Sequence, residues 1–190
     1  MQGTAMESPS PYYSLVAYVT GPLGQFVEEL GRELEPGLGH LPAHLTILPP
    51  RLLAGAEHEA VEQIESVCRT VEPFEITLGE VETFMPVTPT VFIRVAHAAY
   101  RLRELHDRLN TAALHFHEPW PYMPHLTILR CQQAEPTQRA SDLARQRWAD
   151  FRASRRITVE RLTFVRQRRD LAWEDVAPVQ LGRRMAPAVC

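Results

Sequence analysis

The pentapeptide His-Leu-Thr-Ile-Leu occurs twice in this chain, at residues 44–48 and 125–129. The copies start 81 positions apart, and each has a proline just upstream, Pro42 and Pro124. In a β-strand successive side chains point to opposite faces, and residues two apart share a face about 6–7 Å apart along the strand. His44, Thr46 and Leu48 therefore point one way while Leu45 and Ile47 point the other. His125, Thr127 and Leu129 are set against Leu126 and Ile128 in the same manner. Each copy is a strand with an apolar back and a histidine–hydroxyl pair on its front. A lone His-x-Thr on a strand is usually structural, but a duplicated core strand would repeat its apolar residues and not its polar front. Two such strands facing one cleft supply two imidazoles, two hydroxyls and no carboxylate. That set suits an anionic phosphate: two groups exchange protons near neutral pH, and two neutral donors serve its oxygens.

Periodicity places the repeats within a larger pattern. Residues 12–20 are a strand candidate ended by Gly21-Pro22, and Phe26, Val27, Leu30 and Leu34 give a helical period stopped by Pro36-Gly37. Val61, Ile64, Val67 and Cys68 mark a second helix after the first repeat. Phe74, Ile76 and Leu78, then Val91, Ile93 and Val95, alternate as strands. Leu102, Leu105, Leu109 and Ala113 trace a helix that leads through a Pro- and His-rich loop to the second repeat. A polar helix with Leu143 and Trp148 and two final strands, near 157–166 and 173–181, close the chain. The apolar phase slips between Val159 and Leu162, the mark of a bulge. The order predicts an α+β fold of two pseudo-symmetric lobes, each an antiparallel sheet backed by helices, with the repeat side chains in the cleft between them. No linker composition divides the lobes, so residues 12–182 form one domain between tails at 1–11 and 183–190.

The stretches 42–48 and 124–130 resemble the signature of the two-histidine (2H) phosphoesterase superfamily, whose bacterial branch is known as 2′-5′ RNA ligase or RNA 2′,3′-cyclic phosphodiesterase. The segment from Phe84 to Val95 is similar to the loop and strand that lie between that family's motifs, and 159–165 with 173–181 to its closing strand pair. The resemblance spans about residues 12–182 and implies the same bilobal architecture. It marks His44, Thr46, His125 and Thr127 as catalytic. The same branch often carries arginine where Arg130 stands, although Arg130 has the parity of Leu126 and Ile128 and reaches the front only if the strand ends or twists there. Pro49 occupies a position where that branch usually has an aromatic residue; Phe84, Tyr122 and Trp120 are the alternative base-stacking surfaces.

The chemistry expected of such a site is the metal-independent opening of a 2′,3′-cyclic phosphate on RNA or a nucleotide. One histidine takes a proton from water while the other gives one to the ribose oxygen. Run backwards, the same site joins RNA ends through a 2′-5′ bond. The alternative is a non-catalytic RNA- or nucleotide-binding protein, against which stand the intact histidine and threonine of both repeats. RNA ends or small cyclic nucleotides are the expected substrates, and a monomer the expected state.

Composition narrows the rest. With 45% apolar and 23% charged residues the chain is ordinary for a globular protein. No run reaches membrane-spanning length, the first ten residues lack a signal peptide's pattern, and Cys68, Cys131 and Cys190 share no Cys-x-x-Cys spacing. A reducing cytoplasm fits. All 20 basic residues are arginine: 7 face 16 acids in residues 1–129, and 13 face 7 acids afterwards, which makes the last third a candidate for phosphate contact. His115, His117 and His125 suggest a metal, but no carboxylate or cysteine joins them at a ligand spacing, and the loop histidines are expected to be exposed. No P-loop, dinucleotide fingerprint or Gly-x-Ser-x-Gly is present, so no cofactor is expected.

Overall fold

Why the two repeats end up side by side follows from how the strands pair. The computed structural model describes residues 10–37, 42–133 and 135–182. In chain order the elements are β1 (Tyr13–Tyr18), α1 (Gly21–Leu34), β2 (His44–Arg51), α2 (Glu57–Cys68), β3 (Phe74–Thr83), β4 (Thr90–His97), α3 (Ala99–Leu109), β5 (His125–Arg130), α4 (Glu135–Asp150), β6 (Arg156–Val159), β7 (Arg161–Gln167) and β8 (Trp173–Gln180), with a 3-10 turn at Ala112–Leu114. The strands form one eight-stranded sheet in the order β6-β3-β4-β5-β2-β1-β7-β8, and every pairing is antiparallel. The α+β class expected from the sequence is borne out.

Each half of the sheet has the same plan. A repeat strand (β2 or β5) lies innermost, the strand before it (β1 or β4) is next, and two further strands complete the half. The halves meet at β2 and β5, which share the single register pair Leu45↔Leu126. Two helices cross over the join, α1 packing on β5 and α3 on β2, while α4 backs β3 and β4 within one half. Each brings a helical apolar stripe, such as Leu23, Val27 and Leu30 in α1 or Leu102, Leu105 and Leu109 in α3. They cover Leu45, Ile47, Leu126 and Ile128, the apolar backs of the repeats, all of which are buried.

The slip of phase after Val159 is not a bulge. Glu160 alone separates β6, which pairs with β3 at one edge, from β7, which pairs with β1 near the other. One residue spans only a few ångströms, so the sheet wraps until its two ends nearly meet. Leu181 N–H closes the seam by donating to the Glu160 carbonyl at 2.8 Å. The tails expected at 1–11 and 183–190 lie, apart from Ser10 and Pro11, outside the described residues.

Gly24 allows α1 to lie close to the strand before it. A Cβ there would stand 2.1 Å from the Val19 carbonyl oxygen, a backbone atom that cannot step aside. Gly24→Ala is expected to cost about 1–3 kcal/mol of stability, the range for overpacking a filled site, measured as a fall in the urea unfolding midpoint.

Candidate active site

The proline upstream of each repeat belongs to a matched backbone arrangement. The carbonyl one residue before each histidine is held by the neighbouring strand segment: Val19 N–H donates to Ala43 at 2.7 Å and Val95 N–H to Pro124 at 3.3 Å. The carbonyl one residue earlier is left for the histidine itself. His44 Nδ1 donates to Pro42 O at 2.8 Å, and His125 Nδ1 donates to Met123 O at 2.7 Å. A carbonyl only accepts, so each neutral ring carries its proton on Nδ1 and leaves Nε2 unprotonated.

Register fixes what lies beside each pair, since directly opposed residues of an antiparallel pair share a face. Tyr18 stands opposite His44 and Val16 opposite Thr46; Arg94 stands opposite His125 and Phe92 opposite Thr127. All four repeat side chains are half-buried, and among the described residues neither threonine hydroxyl bonds to another protein group. Alternation fails one step later. Leu15 and Val16 pair with Leu48 and Thr46, while Val91 and Phe92 pair with Leu129 and Thr127, so Ile47 and Ile128 are extra residues at equivalent places. In such a bulge two residues oppose one. Leu48 and Leu129 therefore join the core instead of the front, where strict alternation puts them. The same slip turns Arg130 forward: it pairs with Thr90, two residues from Phe92 on β4, and is exposed. Among the described residues it has no hydrogen bond or ion pair.

The aromatic candidates fare differently. Phe84 does reach the site. It stacks on Phe92 at 4.1 Å between ring centroids, and both rings present themselves edge-on to His125, at 4.9 and 5.1 Å. Phe92 carried a usable signal, being out of phase with the apolar Val91, Ile93 and Val95. Trp120 is exposed on its loop. Tyr122 is drawn into the seam between the repeats, where no stacking surface is offered: its hydroxyl donates to Thr46 O at 2.8 Å and its ring lies flat on His106, 4.2 Å away.

That seam is filled by a buried network the sequence did not announce. Beyond Leu45↔Leu126 the repeat strands diverge, and side chains take up the free carbonyls of β2. His106 Nδ1 donates to Ile47 O at 2.9 Å and Arg51 Nε to Pro49 O at 2.9 Å. Arg51, 1% exposed, also donates to Asn110 Oδ1 and Leu114 O and lies 2.6 Å from Glu118 Oε1, which stands 3.6 Å from His106 Nε2. Each of these residues is a lone polar position in an apolar or loop context, with no spacing to link them.

Burial pushes both repeat imidazoles below their ordinary range, because the charged form loses solvation, although each carbonyl bond acts the other way. His44 lowers His125 further, as a charge on one opposes a charge on the other. Part of the basic final third is paired with acids: Arg145, Arg147, Arg156, Arg166 and Arg168 pair with Asp142, Glu33, Glu75, Glu57 together with Glu174, and Asp170. His115 and His117 are exposed, and among the described residues no three His, Cys, Asp or Glu side chains converge as metal ligands. No helix among them is long and apolar enough to cross a membrane.

Two half-sheets presenting matched His-Thr pairs define a two-histidine phosphoesterase. The model of the 2′-5′ RNA ligase superfamily matches residues 20–171, and the chain belongs to that family. A protein of Oceanobacillus iheyensis, provisionally named a phosphoesterase, is 27% identical over 90% of this chain and 98% of its own length. Another so named, from Halalkalibacterium halodurans, is 29% identical over 61% of this chain and 68% of its own. Escherichia coli LigT shares the fold: its structure with 3′-AMP superposes with a TM-score of 0.58 over 91% of this chain and 99% of LigT at 13% identity. Its NADP+ complex gives 0.58 over 93% and 100% at 16%.

Removing one partner of a buried ion pair leaves the other uncompensated. Arg51→Ala should cost about 3–5 kcal/mol, read from denaturant unfolding, whereas the double change Arg51→Met with Glu118→Leu should cost less than the single one.

Proposed function

We propose that this enzyme opens a 2′,3′-cyclic phosphate on an RNA end or small nucleotide, with Nε2 of His44 and Nε2 of His125 as the proton carriers and no metal. The observation that carries this reading is the pair of Nδ1-to-carbonyl bonds, which leaves both Nε2 atoms on the face that also bears two unpartnered hydroxyls. That LigT has been crystallised with 3′-AMP, NADP+ and ATP supports a substrate of nucleotide size.

In this mechanism the anion supplies what the empty site lacks. Both imidazoles are held toward neutrality by burial, and a bound phosphodiester monoanion offsets that cost for one of them. The neutral ring then takes a proton from the attacking water as the protonated ring gives one to the departing ribose oxygen. Each transfer is worth about 10²–10⁴-fold. Thr46 and Thr127 donate to the non-bridging oxygens, and Arg130, turned to the front by the bulge, adds a guanidinium that can hold two of them. With an RNA 5′-hydroxyl in place of water as the nucleophile, the same ring opening makes a 2′-5′ bond and frees the 3′-oxygen. Water, at about 55 M, favours hydrolysis unless both ends are held in place.

Replacing His44 or His125 with alanine is expected to lower kcat by several decades with the fold retained, and Thr46→Ala or Thr127→Ala by about one to two decades each. Turnover should survive excess chelator; loss on chelation that zinc or manganese restores overturns the mechanism.

The pH profile has a definite sign. The limbs of kcat/KM report the free enzyme, in which both histidines lie below the usual 6.5. The kcat/KM bell should therefore peak below pH 6.5, and kcat, reporting the anion-bound enzyme, should peak higher. A kcat/KM optimum at pH 8 contradicts the assignment.

A further inference from the structure

The two flanks of the site differ in charge. On the His125 side stand Arg130 and Arg94, the latter paired with Glu82 at 3.1 Å. On the His44 side a cavity of about 940 Å³ opens directly from His44 and Thr46, between β1, the β7–β8 turn and the start of α1. Its walls carry Tyr18 and Trp173, the carboxylates of Asp175 and Glu28, the Gln25 amide and Thr20 and Gly21, and, among the described residues, no arginine. Asp175 Oδ1 accepts the Tyr18 hydroxyl at 2.6 Å, which pins the tyrosine and leaves the second carboxylate oxygen without a partner among the described residues; Glu28 is spent on Ala43 N–H at 3.0 Å.

We propose that this cavity is the nucleobase pocket of the enzyme and that it favours a base bearing an exocyclic amine. The inference rests on the cyclic-phosphate reading above. A phosphate carries acceptors alone, and two carboxylates repel it; a base edge carries donors and acceptors together. The cavity offers both kinds: the free oxygen of Asp175 for an amino group, and the Gln25 amide and the uncapped first turn of α1 for ring nitrogens and carbonyls. The aromatic bodies of Tyr18 and Trp173 supply apolar contact of the sort that binds base faces. The pocket adjoins His44, so a base seated there places its ribose phosphate over the two Nε2 atoms.

The test compares the 2′,3′-cyclic phosphates of adenosine, cytidine, guanosine and uridine with a base-free analogue, ribose 2,3-cyclic phosphate, on the intact protein. Expected is hydrolysis of all five, with kcat/KM for adenosine, cytidine and guanosine at least tenfold above uridine and the base-free compound. Asp175→Asn should shrink the amino-base preference over uridine to within about threefold, and Trp173→Ala should reduce the nucleotide-to-base-free ratio by tenfold or more. If the base-free compound is turned over as well as the nucleotides, or both variants keep the wild-type ratios, the pocket assignment is overturned while the cyclic-phosphate reading stands. If none of the five is hydrolysed, that underlying reading fails.

Discussion

Two carbonyl oxygens, those of Pro42 and Met123, set the state of everything on the front of the sheet. By accepting Nδ1–H they fix ring orientation and tautomer in a single bond, and they do so twice with nearly equal geometry, at 2.8 and 2.7 Å. The bonds exist because the carbonyls one residue later are already taken by Val19 and Val95. A rotated ring would put Nδ1 forward and leave a carbonyl of the strand entrance unpaired at a half-buried site, a cost of about 1–3 kcal/mol. Strand pairing thus determines which nitrogen carries the proton in the neutral ring.

The relative placement of the pairs rests on something weaker than a β-ladder. One register pair joins the two halves, and beyond it the seam is held by Tyr122, His106, Arg51 and Glu118. Side chains that replace ladder bonds let neighbouring strands separate while keeping their carbonyls satisfied, which is what a site between strands requires. The network sits behind the first repeat only, so the pseudo-symmetry of the front face is not matched at the back. The bulges at Ile47 and Ile128, by contrast, are symmetric, and the second turns Arg130 forward.

Much of this was legible in the chain. The duplicated His-x-Thr gave the two strands and the facing of their polar residues, and helical and alternating periods placed the remaining elements well. Four things were not legible, each for a physical reason. The bulges depend on how β1 and β4 pair, and a strand's own alternation carries no trace of its partner's register; Leu48, Leu129 and Arg130 were misplaced or left open on that account. The phase slip after Val159 has the same local signature whether a strand bulges or leaves one half-sheet for the other. The arginine-rich final third suggested phosphate contact by count, yet several of its arginines are held by acids, some distant in sequence, such as Glu33 for Arg147 and Glu75 for Arg156. A lone buried polar residue such as His106 declares its role only through partners that folding brings to it.

The central claim is that both histidines present Nε2 as the working atom and that a bound phosphate protonates one of them. Isotope-edited NMR of the imidazole nitrogens tests it directly, with His44 and His125 assigned by single substitution. At pH 7.5 without ligand, both rings should show the neutral Nδ1–H tautomer, and adding a 2′-nucleotide should bring one ring to the doubly protonated form. Finding either ring as the Nε2–H tautomer, or both still neutral when the nucleotide saturates the site, would contradict the account.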